Sequence, residues 1–398
     1  MMQKPLLIFY YLPTSAYALN VLIGALEKFD LDLQTDIQLP RDLSELHRIL
    51  DEQSTCQRKI VVFWSFFSAA FPTAVTHLAE TISRTNGDNV IHIAGGVHAS
   101  AEPQQTLSSG FDFVAVGEGE ETIVGIARQL IAGRDISNVP GINYLENEVL
   151  MSAKPAKRIE LDDFPPFAVR NRRFNPIEIT RGCIYACKFC QTPFMFKAKF
   201  RHRSVNNVIK YVTIMRNLGM KDIRFITPTS LSYGSDDETV NLERVEELLS
   251  NIRSVIGADG KLFFGSFPSE IRPEHASPEA FRMLKKYIDN DNIIIGGQSG
   301  SERILDSSKR GHGVEDIERA VRYAVEGGFV PNVDFLFGLP GETNRDAQES
   351  INLADRLAEA GARIHGHTFM PLPGTPFKDD RPGTISPKIC LLYTSRCV

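Results

Sequence analysis

Short apolar runs alternate with amphipathic stretches along the whole chain. Leu6–Leu12 reads as a buried strand, and Ser15–Phe29 as a helix with Leu19, Leu22, Ile23 and Leu26 on one face. Ile60–Phe66, Val90–Ala94 and Phe113–Val116 are further apolar strands. Ala74–Arg84 and Glu120–Ile131 fit helices. Short apolar strands separated by helices imply a parallel sheet covered on both faces. Residues 1–146 therefore read as a doubly wound α/β domain of flavodoxin or Rossmann type.

Residues 147–174 read as a linker. They switch charge between Lys154–Arg158 and Asp162–Asp163 and carry Pro155, Pro165 and Pro166, a composition typical of domain boundaries. A second series follows over residues 175–376. Strands fit Ile177–Thr180, Asp222–Ile226, Lys261–Ser266, Asn292–Gly296, Val330–Phe337 and Arg363–Phe369. Helices fit Val205–Leu218, Asn241–Val255, Pro278–Tyr287, Val314–Glu326 and Asn344–Ala360. Six strand–helix units are too few for a closed eight-stranded barrel, so a partial, TIM-like (βα)6 barrel is expected.

Composition narrows the function classes. The 398 residues are 42% hydrophobic and 23% charged, with a net charge of −5, values of a folded globular protein. The mild acidity argues against a dedicated nucleic-acid binder. The longest apolar run, Ile60–Phe71, falls short of the roughly 18 residues a membrane span needs. Leu6–Leu12 continues directly into a periodic helix, so a buried first strand is expected there rather than a signal peptide. The 6 cysteines are too few for a disulfide scaffold, and a reducing cytoplasm is the expected setting.

Cys183, Cys187 and Cys190 follow the first strand of the second series with the spacing Cys-x-x-x-Cys-x-x-Cys. A four-iron cluster normally takes four thiolates, so three leave one iron open to a small molecule. A structural zinc site wants four ligands, usually paired Cys-x-x-Cys units. The nearest imidazole is His202, and no second pair lies nearby. Three unliganded thiols within so short a polar loop are the third and weakest alternative.

With its aromatic Phe189 before the last cysteine, this loop resembles that of the radical S-adenosylmethionine (SAM) enzymes. The resemblance covers residues 175–376. It implies a 4Fe–4S cluster on Cys183, Cys187 and Cys190, SAM chelated to the open iron, and reductive release of a 5′-deoxyadenosyl radical. Gly296-Gly-Gln298-Ser299-Gly-Ser-Glu302 and Phe335-Leu-Phe-Gly338-Leu-Pro-Gly341-Glu342-Thr343 match the same family. The resemblance implies that Gln298 and Ser299 lie beside the SAM ribose and that Gly338 packs on adenine. Ser299 also fits a helix N-cap, since Ser299-x-x-Glu302 has the form of a capping box. Thr227 stands where the family contacts the methionyl end of SAM. Arg272 could pair with the SAM carboxylate or form a surface salt bridge. The basic run Lys197–Arg203 reads as a solvated turn before an N-cap at Ser204.

In the first domain, Gly95-Gly96-Val-His98 and Gly117-Glu-Gly119 end two successive strands. Ligands of open parallel sheets bind at such ends. The acidic helix start and the lack of Gly-x-Gly-x-x-Gly argue against a nicotinamide site. Residues 4–132 resemble the cobalamin-binding domain that precedes many radical SAM domains. The resemblance implies that Gly95, Gly96, His98 and Gly117 contact the cofactor. Many such domains supply a cobalt-ligating His after the first strand, but Tyr10–Ala16 contains none. Two readings stand: cobalamin bound without that ligand, with His98 a polar turn residue, or a cobalamin-like fold that binds none.

The resemblance implies an enzyme, with cobalamin-dependent methyl transfer favoured and ring rearrangement or carbon–carbon bond formation as relatives. Its partners are a small-molecule or unknown substrate and a low-potential electron donor such as flavodoxin or ferredoxin, with no membrane and no nucleic acid. A methylthiotransferase wants three further N-terminal cysteines, and only Cys56 precedes the triplet. An iron–sulfur electron carrier or sensor is the non-enzyme alternative. Residues 377–398 read as a truncated tail. Cys390–Val398 resembles translated library adapter, so Cys390 and Cys397 are expected to carry no chemistry.

Overall fold

The computed structural model describes residues 3–54, 56–84 and 89–383. The tail reading at Cys390–Val398 lies outside them. Contacts divide the chain into two compact units, Met1–Asn175 and Pro176–Val398.

The first unit holds strands β1 (Leu6–Phe9), β2 (Asp36–Gln38), β3 (Ile60–Ser65), β4 (Val90–Gly95), β5 (Phe113–Ala115), β6 (Ile142–Glu146) and β7 (Val149–Ser152). Its helices are α1 (Ala16–Lys28), α2 (Leu43–Glu52), α3 (Phe71–Arg84), α4 (Val97–Ala101), α5 (Pro103–Ser108) and α6 (Gly119–Ile131). The sheet order is β2-β1-β3-β4-β5-β6-β7. The first five strands are parallel, and β6 and β7 add an antiparallel hairpin. Successive residues of β1 face opposite ways, as strand geometry requires. Leu7 and Phe9 join α1 and α6 in one core, whereas Leu6, Ile8 and Tyr10 join α2, α3 and α5 in the other. The strand expected to reach Leu12 ends at Phe9, because Leu12 turns back to donate to the Tyr10 carbonyl.

The stretch expected as a linker is instead folded into this unit. Asn147 and Glu148 take positive φ and close the β6–β7 hairpin. Ile159, Leu161, Phe164 and Ala168 are buried in the α1–α6 core. Their apolar area outweighs the proline and charge content that marks a boundary in sequence.

The second unit has β8 (Ile177–Glu178), β9 (Thr180–Arg181), β10 (Arg201–His202), β11 (Asp222–Ile223), β12 (Phe225–Ile226), β13 (Lys261–Leu262), β14 (Asn292–Gln298), β15 (Val330–Phe337) and β16 (Arg363–Thr368). Its helices are α7 (Gln191–Met195), α8 (Val205–Asn217), α9 (Leu242–Ile256), α10 (Pro278–Tyr287), α11 (Glu302–Ser307), α12 (Val314–Glu326) and α13 (Asn344–Glu359). Parallel pairing runs in chain order: β8 with β12, β11 with β13, β14 with β15, and β15 with β16. Ile294 N–H donates to the Gly265 carbonyl (2.8 Å), joining the third strand position to the fourth. Alternate β15 residues Val333, Phe335 and Phe337 are buried, leaving Asn332, Asp334 and Leu336 on the opposite face. Among the described residues no helix is long and apolar enough to cross a membrane.

Candidate functional site

The thiol loop starts at Gly182, whose φ is 82°. A Cβ there would lie 2.2 Å from the Lys199 carbonyl oxygen, so only glycine fits this turn. The loop then carries Cys183, Cys187 and Cys190 in an apolar shell of Ile184, Tyr185, Phe189 and Phe200. Cys187 is buried and the other two are half-buried. Phe189 also packs with Ile304, Leu339, Phe369 and Phe377, tying the loop to the segments after β15 and β16. Burial pushes the Cys183 thiol up to about 12 and raises that of Cys190. Ionising them as metal ligands would draw on the charge of the metal. Among the described residues no group of three His, Cys, Asp or Glu side chains is arranged to hold a metal ion. His202 is engaged elsewhere, with Thr180 Oγ1 (2.9 Å) and the Ser235 carbonyl (2.7 Å).

Two buried guanidiniums face the middle thiol. Nitrogens of Arg310 and Arg272 lie 3.6 and 3.9 Å from Cys187 Sγ. Arg310 also donates to the Gly296 carbonyl (2.7 Å) and lies 3.5 Å from Glu270. Arg272 is 2% exposed, bonds Glu274 Oε1 at 2.5 Å and the Arg310 carbonyl, and covers the Tyr185 ring at 3.6 Å. It forms no surface salt bridge. Burial would raise the Glu274 carboxyl, but His312, Arg272 and Arg310 together hold it well below the usual range.

The remaining expected contacts sit on the strand ends of this unit. Thr227 is buried and its hydroxyl donates to the Thr229 carbonyl (3.0 Å). Gln298 takes φ 71° at a bulge that ends β14. Ser299 is fully buried against Ser350 Oγ (3.2 Å). The capping box expected of Ser299 and Glu302 does not form. Ser301 is the N-cap residue of α11, and Glu302 instead accepts from Val314 N–H (2.7 Å). Gly338 takes φ 79°, and its N–H donates to Glu342. The basic run is only partly solvated: Lys197 and Lys199 are exposed. Arg201 and Arg203 are buried because β10 pairs with β9, although Ser204 does cap α8 as expected.

Sequence reasoning missed Arg310, Asp334, His365 and His367. A Cβ on Gly296 would meet Arg310, Gln298 and Glu270 together, so these groups share one face. On the same β15–β16 ladder, Asp334 Oδ1 lies 3.3 Å from His365 Nδ1 and 3.8 Å from His367 Nε2. Asn332 Oδ1, Thr229 Oγ1 and Ser266 Oγ are buried without a protein partner. A cation, a carboxylate and unpartnered hydroxyl and amide oxygens suit a ligand carrying both an amino-acid zwitterion and hydroxyls. The alternation of polar Asn332 and Asp334 with apolar neighbours along β15 is the sequence cue to this face.

In the first unit, Gly95 ends β4 and Gly96 takes φ 93°. His98, expected in a turn, is buried on α4. Its Nδ1 meets Ser68 Oγ (3.1 Å) and its ring stacks on Phe71. Burial lowers the His98 imidazole, keeping it neutral. Gly117 takes φ 92° and donates to Ser100 Oγ (3.0 Å). A cavity of about 40 Å³ opens at the ends of β1 and β3, lined by Tyr10, Trp64, Ser65, Phe66 and His77 among others.

Comparison with known families now bears on both units. The B12 binding domain model matches residues 4–127, and the radical SAM superfamily model matches 177–354. The chain thus contains a radical SAM domain. It carries a B12-binding domain ahead of the radical SAM domain. Its fold is that of TsrM from Kitasatospora setae, a radical SAM methyltransferase solved with tryptophan and a SAM analogue (TM-score 0.72, 19% identity, 94% of this chain and 75% of that one). It is also that of OxsB, a cobalamin-dependent radical enzyme (TM-score 0.69, 17% identity, 89% and 52%). An uncharacterised methyltransferase of Pyrococcus horikoshii is 26% identical over 308 residues, 74% of this chain and 63% of that protein. A tRNA-2-methylthio-N(6)-dimethylallyladenosine synthase of Neisseria meningitidis is 24% identical over 306 residues, 76% and 65%. The chain thus spans less than two thirds of the curated relatives it matches.

Proposed function

We propose that this chain is the two-domain core of a cobalamin-dependent radical SAM methyltransferase acting on a small molecule in a reducing compartment. The observation that carries the reading is the buried three-thiol loop behind the first strand of a parallel α/β unit, on a chain that begins with a B12-binding domain. Cys183, Cys187 and Cys190 hold a 4Fe–4S cluster. Arg310, Glu270, Gln298, Ser299, Asp334 and Gly338 hold SAM. Gly95, Gly96, His98 and Gly117 contact the corrin. When bound, these groups supply a 5′-deoxyadenosyl radical and a transferable methyl group, fed by an electron donor of flavodoxin or ferredoxin type.

The chain's own residues bind, orient and exclude water. Phe189 and Phe200 keep solvent from the thiols. Arg310 and Glu270 set opposite charges side by side for a zwitterion. The neutral His98 offers an uncharged polar edge rather than a competing cation. A methylthiotransferase reading draws on the curated relatives of that name, but Cys56 is the sole cysteine available before the triplet.

Anaerobic reconstitution of the full chain with iron and sulfide, followed by incubation with SAM and dithionite, tests the reading. Release of 5′-deoxyadenosine that Cys187→Ala abolishes is expected, together with retention of added hydroxocobalamin through gel filtration. Zinc instead of iron, or no deoxyadenosine from an iron-loaded protein, overturns the radical assignment. Loss of the corrin from a folded, iron-loaded protein removes cobalamin from it.

A further inference from the structure

Arg272 is built into the wall behind the thiol loop rather than into a ligand contact. Its Nε is committed to Glu274 Oε1 (2.5 Å), one terminal nitrogen to the Arg310 carbonyl, and the other faces Cys187 Sγ at 3.9 Å. The Tyr185 ring covers one face of the guanidinium at 3.6 Å. That ring is itself pinned, its hydroxyl 2.7 Å from His275 Nε2. With 2% exposure and a partner at each of its three nitrogens, Arg272 is committed to the protein wall.

We propose that Arg272 is a positioning residue that tunes the reduction potential of the cluster through the Cys187 sulfur, with Glu274 as its counterweight. This rests on the cluster assignment above. A cation and a donor aimed at a ligating sulfur stabilise the more negative, reduced cluster, since net charge and hydrogen bonds to sulfur set such potentials. Glu274 binds Arg272 and His312 and draws part of that field away from the sulfur. Arg310 is the second donor to Cys187, but it is shared with Glu270 and the Gly296 carbonyl on the ligand side. The two arginines therefore divide the work: Arg310 faces the ligand, and Arg272 faces the cluster alone.

The test is a dye-mediated redox titration of the reconstituted full chain without SAM, read by electron paramagnetic resonance. Arg272→Gln should leave about tenfold less reduced cluster at a fixed poise, a drop of about 59 mV for one electron. Glu274→Gln should shift the other way. A merely structural role predicts no opposed pair of shifts. SAM should still perturb the reduced-cluster spectrum of Arg272→Gln at wild-type concentrations. Unchanged potentials in iron-replete variants, shifts of the same sign, or a tenfold loss of SAM affinity with unchanged potential overturn the proposal. If Arg272→Gln does not load iron, the direction of the Glu274→Gln shift decides it. A wild-type chain that forms no cluster sinks the functional reading instead.

Discussion

Gly96 and Gly117 stand at neighbouring strand ends with φ of 93° and 92°, yet their surroundings differ sharply. Gly96 has ψ −176°, a region essentially confined to glycine, where another residue costs about 1–3 kcal/mol. An added Cβ would also lie 2.7 Å from the Phe66 carbonyl oxygen and 3.0 Å from its nitrogen. These are backbone atoms that cannot swing aside, and such overpacking adds roughly 1–3 kcal/mol. Gly96→Ala should therefore cost about 2–6 kcal/mol in all, a large part of a domain's typical stability. At Gly117 the nearest atom to a Cβ is Ala156 Cβ at 3.9 Å, so Gly117→Ala bears only the left-handed cost of about 1–2 kcal/mol. The chain has 1 tryptophan, Trp64, buried in β3 of this unit, so its fluorescence reports unfolding of this unit specifically. With a urea slope of about 2 kcal/mol/M, Gly96→Ala should lower the Trp64 midpoint by about 1–3 M. A Gly96→Ala midpoint no lower than that of Gly117→Ala would refute the close approach of Phe66.

Burial raises the Glu342 carboxyl to about 7, above its ordinary 4.5. Its folded value exceeds its unfolded one, so the native state is unpenalised below about pH 4.5 and loses about 1–3 kcal/mol as pH rises through 7. Glu342→Gln can still accept from Gly338 N–H. It should match wild type in denaturant unfolding at pH 4.5 and exceed it at pH 8, and a difference that is flat with pH contradicts the shift. Ser350→Ala strips the acceptor from Gly300 N–H (2.8 Å) and the partner from Ser299 Oγ. A loss of about 1–3 kcal/mol and faster amide exchange at Gly300 are expected, and unaltered exchange there would contradict it.

Legibility followed the strength of local patterns. Ile60–Ser65 is buried at five consecutive positions, and such a run has no other home than a covered parallel sheet. The thiol loop was equally plain, because chemistry and spacing lie within one short segment. By contrast β2 is three residues long, two of them polar, and gains its identity only from pairing with β1. Helix α2 left a readable mark that went unused. Asp42 caps it by accepting from Glu45 N–H, and Glu45 reaches back to Arg41 N–H. The face shared by Glu270, Gln298 and Arg310 is assembled from segments far apart in sequence. A charged residue gives no local sign that it will be buried. Arg272 shows the same limit: its residue type suggested an anion, but only the fold reveals that a sulfur, a carboxylate and an aromatic ring already surround it.

The segment from Asn147 to Asn175 behaves as a seam sewn into the first unit. Gly24 on α1 lies so close to Phe167 that a Cβ would sit 2.7 Å from its carbonyl oxygen, and Asn175 Oδ1 accepts from Asn20 (2.8 Å). A fragment cut after residue 146 would discard Ile159, Leu161, Phe164 and Ala168 and bare the α1–α6 face. It would also strip β7 from β6 and make the more buried β6 the edge of the sheet, an invitation to self-association. One ending at Asn175 would keep both the covered face and the capped sheet. Anyone isolating this half to study corrin capture would meet a precipitate from the first cut and a soluble protein from the second.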